Sequence, residues 1–322
     1  MRITPGPVSG GHTALIERAS FSPDGERFVA GDGNGGLIVR TRGGEITAKI
    51  RVPPAGAYSS PQVRAVAWSP DGSRIAVHEY GGVRLRRPAD LAEEAEAKSI
   101  GSGPIAFGGG GRWLALLSSG ASLYVRGVPA FDDRGFHTLS RGSYEYFSAD
   151  TLAADPQGSL VAAGDDGGSD ETAMGATTAR GEPQVTLIDA DRRTQIGAIE
   201  RGHPIFGLEF DPWRGRLLTV LHGDVGAWSR TGQAIARFAP YPKSYARSLA
   251  ISERWIATAP STDDRARIDF FAPDTYARLA TVDLPGPFAP RWIAASADGR
   301  VFVTPELPRN RDFAVRIWTV EY

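Results

Sequence analysis

Ala19-Ser-Phe-Ser-Pro-Asp-Gly-Glu-Arg-Phe-Val-Ala30 recurs as Val66-Ala-Trp-Ser-Pro-Asp-Gly-Ser-Arg-Ile-Ala-Val77, and this repetition decides the fold. Weaker copies lie at Ile105–Leu116, Leu152–Ala162, Leu208–Thr219, Leu249–Ala257 and Ile293–Val303, seven in all. Their spacing averages about 46 residues. Each copy reads as a short apolar strand, a tight turn and a second apolar strand. Pro presets φ at the first central position of the turn, and Gly takes the later position that needs positive φ.

A third strand follows each pair, at Gly36–Thr41, Gly82–Arg87, Ser122–Arg126, Gln184–Asp189, Asp224–Ser229, Arg267–Phe271 and Ala314–Thr319. A fourth is visible at Glu45–Ile50, Gln195–Glu200, Gln233–Phe238 and Ala277–Val282. Four antiparallel strands per period make a propeller blade, so the sequence predicts an all-β, seven-bladed β-propeller as one domain over residues 1–322. The last repeat stops at its third strand, with Val320-Glu-Tyr322 expected to trail off. Residues 1–4 stand where a fourth strand is missing, so the N-terminus is expected to pair with the last blade and close the ring.

These repeats resemble the WD40-repeat family. Gly11-His12 and Gly202-His203 look like its Gly-His dipeptide, Ser22-Pro-Asp-Gly25 and Ser69-Pro-Asp-Gly72 like its first turn, and Asp312 with Trp318 like its aspartate and third-strand tryptophan. The tryptophan position reads Arg40, Arg86, Arg126, Ile188, Trp228, Phe271 and Trp318 along the chain. No blade carries the full His, Asp and Trp set. The resemblance therefore implies an incomplete hydrogen-bond network, with His12 and His203 bonded to backbone or a strand hydroxyl, and blades that depend on apolar packing.

Composition narrows the chemistry. The 36 Lys plus Arg against 37 Asp plus Glu leave a net charge of −1, which offers no basic field for nucleic acid. With no cysteine, thiolate metal sites, disulfides and cysteine nucleophiles are excluded. No apolar leader and no apolar run long enough to span a bilayer appears, so the protein is expected to be soluble, cytoplasmic and monomeric, with no membrane partner and no cofactor. Gly31-Asp-Gly-Asn-Gly-Gly36 fits G-x-G-x-x-G, but it joins two strands and lacks the helix that a dinucleotide site requires. The five histidines fall in different repeats, so no metal site is expected from them.

Candidate binding residues lie on the face formed by the loops leading into the innermost strands. Aligning those strands on Phe21 places Glu17, Arg64, Gly103, Asp150, Phe206, Arg247 and Arg291 at one equivalent position. Mixed signs suit a salt-bridged collar, and the three arginines suit an anionic group. Tyr58, Tyr144, Tyr146, Phe206, Tyr241, Tyr245 and Phe288 occur in or beside the same loops, either as recognition surface or as plugs between blades. The insertion Asp165–Glu182 carries Asp165, Asp166, Asp170 and Glu171, either a solvated acidic loop or oxygen ligands for Ca²⁺. The leading expectation is a platform for a protein or peptide partner, centred on blades 4 and 5. The alternative is a propeller enzyme of the lactonase or esterase type, although no G-x-S-x-G elbow is present.

Overall fold

The computed structural model describes residues 1–54, 61–79, 81–98, 103–117, 122–138, 152–164, 184–200, 205–220, 223–241, 245–261, 266–284, 289–306 and 313–322, without the side chains of 134, 136–138, 184, 200, 245, 247 and 261. The chain opens with β1 (Arg2–His12). Blade 1 is β2 (Ile16–Phe21), β3 (Arg27–Asp32), β4 (Gly36–Thr41) and β5 (Ile46–Arg51). Blade 2 is β6 (Val63–Trp68), β7 (Ile75–Glu79), β8 (Gly82–Arg86) and β9 (Glu93–Lys98). Blade 3 is β10 (Ile105–Gly108), β11 (Trp113–Leu117), β12 (Ser122–Gly127) and β13 (Asp133–Thr138). Blade 4 is β14 (Leu152–Ala154), β15 (Leu160–Gly164), β16 (Gln184–Asp189) and β17 (Thr194–Glu200). Blade 5 is β18 (Gly207–Asp211), β19 (Arg216–Val220), β20 (Val225–Trp228) and β21 (Ala234–Phe238). Blade 6 is β22 (Tyr245–Ile251), β23 (Ile256–Ser261), β24 (Arg267–Phe271) and β25 (Arg278–Asp283), and blade 7 is β26 (Ala294–Ala295), β27 (Val301–Glu306) and β28 (Phe313–Glu321).

Every sheet is four-stranded and antiparallel in chain order, and the seventh takes its outer strand from β1. The fold is thus a seven-bladed β-propeller closed by its N-terminal strand. Arg2 pairs with Glu321 and Ser9 with Val315, so the closing strand covers eleven residues and not the four read from the sequence. Val320 and Glu321 also stay in β28 and do not trail off. Among the described residues no helix is long and apolar enough to cross a membrane.

The Ser-Pro-Asp-Gly turns follow from their own side chains. In blade 1 the Ser22 hydroxyl donates to Asp24 at 2.5 Å, Asp24 accepts from the Glu26 amide at 3.0 Å, and Gly25 turns at φ +73°. Blade 2 repeats this with Ser69 and Asp71, and blade 7 with Ser296 and Asp298. At the third-to-fourth turn a residue in the left-handed region recurs in blades 1 to 6, as Gly44, Leu91, Phe131, Arg193, Gly232 and Tyr276. Each of these turns precedes a register break beside Arg40, Arg86, Arg126, Ile188, Trp228 or Phe271, the residues at the tryptophan position.

The chain divides into two compact units. One, Met1–Ser99 with Ala246–Tyr322, holds blades 6, 7, 1 and 2. Its sheets pack through a cluster in which Phe302 stacks on Trp318 at 5.6 Å and Trp255 meets Phe270 edge-on at 5.1 Å. Trp318 Nε1 donates to Thr304 Oγ1 at 3.1 Å, which satisfies the one polar atom this buried ring carries. Ile100–Tyr245 holds blades 3, 4 and 5, packed through Trp113, Val125, Leu152 and Val161 and through Leu187, Leu208, Phe210 and Leu217. Trp228 Nε1 donates to Thr219 Oγ1 at 3.0 Å, the same solution in a second blade.

Candidate functional site

Glu17 and Arg64 occupy equivalent places in β2 and β6, and each is the residue skipped by the pairing with the second strand. Ile16 faces Asp32 and Arg18 faces Gly31, leaving Glu17 without an opposite number. Val63 faces Glu79 and Ala65 faces His78, leaving Arg64 likewise. A bulge of this kind turns one side chain away from the pleat. Both residues are exposed although their neighbours Ile16 and Val63 are buried.

Arg291, also exposed, lies three residues before β26. The indole Nε1 of Trp292 donates to the Ile16 carbonyl at 2.8 Å, which fixes the Arg291 segment against the start of β2. On the other side, the Val63 Cγ1 lies 2.2 Å from where a Cβ on Gly31 would stand. Gly31 therefore lets the Val63–Arg64 segment approach β3 closely. The three ends of blades 7, 1 and 2 are thus held together by buried contacts beneath their charged side chains.

Burial raises the Glu17 carboxyl above the ordinary carboxylate range, against the opposing pull of Arg291 and Arg64 and with a smaller push from Asp32. Glu17 thus feels both guanidinium charges. Among the described residues neither Arg64 nor Arg291 is engaged in a hydrogen bond or an ion pair. Two cations facing one carboxylate leave a positive charge uncompensated there, a suitable seat for an acidic group.

Phe206, half-buried just before β18, belongs to the other unit. Tyr241 is only 3% exposed, so it is packing and not recognition surface. Tyr58, Tyr144, Tyr146, Asp150, Phe288 and the acidic insertion Asp165–Glu182 lie outside the described residues, as do the side chains of Tyr245 and Arg247. Among the described residues no group of three or more His, Asp or Glu is placed to hold a metal ion. Gly31–Gly36 joins β3 to β4 as read from the sequence.

His12 overturns one expectation. Its Nδ1 meets Asp32 Oδ2 at 3.0 Å and its Nε2 meets Arg40 Nη1 at 3.2 Å, so it bonds to neither backbone nor hydroxyl. Arg40, at the tryptophan position, extends a network that was expected to be incomplete: Nε donates to Ser9 Oγ at 3.0 Å and Nη2 to the Gly10 carbonyl at 2.6 Å. Burial pushes Asp32 up, but hydrogen bonds from His12 and from the amides of Gly36, Asn34 and Thr13 outweigh it and keep the carboxyl below its usual range. His203 lies outside the described residues, and His78 is fully buried in β7. No protein-family model matches the chain, and no curated protein matches it.

Proposed function

We propose that the protein is a WD40-like interaction platform whose lead-in loops bind an acidic segment of a protein or peptide partner. The observation that carries this reading is the Arg64, Glu17 and Arg291 group, exposed on buried supports, with both arginines unengaged among the described residues. Guanidinium groups suit this role because their planar forks match a carboxylate in two parallel hydrogen bonds. The WD40-like part is supported by the Trp228–Thr219 and Trp318–Thr304 bonds and the repeated register break.

A fluorescent hexaglutamate peptide tests the proposal by anisotropy. Exchanging both Arg64→Ala and Arg291→Ala should weaken binding roughly tenfold or more, about 1.4 kcal/mol, and added salt should weaken the wild type. Arg300→Ala, an exposed arginine at the turn end of blade 7, should leave affinity unchanged. Equal affinity in the double variant overturns the assignment of the site.

A further inference from the structure

We propose that the N-terminal strand is a proton-sensitive latch, in which protonation of His12 Nε2 expels Arg40, breaks its bonds to Ser9 and Gly10 and so loosens that stretch from blade 1, where the Ser9 hydroxyl keeps its 2.8 Å bond to the Gly44 carbonyl. A guanidinium only donates, so the 3.2 Å contact with Arg40 Nη1 requires His12 Nε2 to be the bare nitrogen. The ring proton then sits on Nδ1 and is donated to Asp32. His12 in this neutral tautomer is a bridge between a buried cation and a buried anion.

Arg40 is fully buried, and burial pulls its pKa down only to about 10, so it stays charged at neutral pH. Its remaining two bonds, to Ser9 and to Gly10, both reach into β1. They add to the Ser9 hydroxyl's bond to the Gly44 carbonyl at 2.8 Å in holding that half of β1, whose pairing with β28 is broken between Pro5 and Val8 and again between Ser9 and His12. A proton on Nε2 sets two donors and two cations against each other at Arg40, while the Asp32 bond survives and strengthens. The group that must leave is therefore the guanidinium, and its bonds to Ser9 and Gly10 leave with it.

The charges around His12 act in the same direction. Asp32 on β3 favours the protonated ring, but Arg40 on β4 opposes it and Lys49 on β5, whose Nζ donates to the Gly11 carbonyl at 2.9 Å, opposes it further. Burial is the largest influence, and the net result is a His12 pKa below the ordinary 6.5. The unfolded chain thus binds the proton more readily than the folded one. The latch is fully closed above about pH 6.5 and weakens as pH falls from there toward the lowered folded value.

Hydrogen exchange read by mass spectrometry at about pH 7.5 and pH 5.0, as protection factors, tests this. Protection across Val8–His12 should fall severalfold relative to Arg27–Asp32, because the folded state gives up stability as its lowered His12 takes up the proton. His12→Gln, whose amide accepts from Arg40 and donates to Asp32 at every pH, should abolish the difference. Should that variant fail to fold, the wild-type His12 ring is followed by NMR. A midpoint below 6.5 that tracks the loss of protection supports the latch. Unchanged protection between the two pH values, an equal loss in His12→Gln, or a midpoint at or above 6.5 overturns it.

Discussion

The indole nitrogen of Trp292 donates to the carbonyl oxygen of Ile16 at 2.8 Å, so the neighbour of Arg291 holds the neighbour of Glu17. The bond is buried and crosses from blade 7 to blade 1 within one compact unit. Trp292→Phe should keep most of the apolar contact and leave the Ile16 carbonyl unsatisfied, at a cost of about 1–3 kcal/mol in urea unfolding. Hexaglutamate affinity should fall as well, because the Arg291 segment loses its anchor. A variant as stable as the wild type shows that water replaces the indole without penalty.

Arg40 has no exposed surface and makes three hydrogen bonds through three different nitrogens. Arg40→Met keeps much of the volume but leaves His12 Nε2 and the Gly10 carbonyl without their donors. Leaving a buried polar group unsatisfied costs about 1–3 kcal/mol, and a loss of that order is the expected result by chemical denaturation. A loss below about 1 kcal/mol means that the network contributes little and packing alone holds β1.

Glu17 follows the opposite rule to a stabilising carboxylate. Its folded pKa is raised, so the folded state binds the proton more readily, and the ionised form costs stability as pH rises through 4.5 and beyond. Glu17→Gln should therefore stabilise modestly at neutral pH, by less than about 1 kcal/mol because the residue is exposed, and the gain should vanish below about pH 4.5. The same variant should bind hexaglutamate more tightly, since Arg64 and Arg291 lose their internal competitor. Weaker binding means that Glu17 itself contacts the ligand.

Arg193 sits at φ +58° in an exposed turn, a conformation that costs an L-residue about 1–2 kcal/mol. Arg193→Gly relieves that strain at the price of backbone entropy, and a net gain of about 0.5–1 kcal/mol is expected. Leu91 has the same geometry at φ 59° but is 1% exposed, so Leu91→Gly should be destabilising through lost burial. Melting temperatures of the two variants should move in opposite directions.

The repeat made the blades legible because turn chemistry is local: serine, aspartate and glycine within four residues determine where a hairpin folds. The fourth strands of blades 2 and 3 escaped notice, since Glu93-Glu-Ala-Glu-Ala-Lys98 lies at a sheet edge and needs no apolar alternation. Alignment on Phe21 placed Glu17 and Arg64 at one position, but their skipped pairing depends on how β3 and β7 bond back, which no spacing reveals. The Arg40, His12 and Asp32 network was illegible for the same reason. Arg40 reads as a tryptophan lost, and only the approach of β1 shows that it has acquired three partners there, Ser9, Gly10 and His12.

The central claim, that an acidic ligand sits between Arg64 and Arg291, is tested most directly by a hydrogen-exchange footprint of hexaglutamate on the intact chain. Binding should slow exchange at 16–18, 61–65 and 289–292 while leaving the turns Ser22–Gly25 and Ser69–Gly72 unchanged. Slowing confined to those turns, at the other end of the same strands, would contradict the choice of face and of residues together.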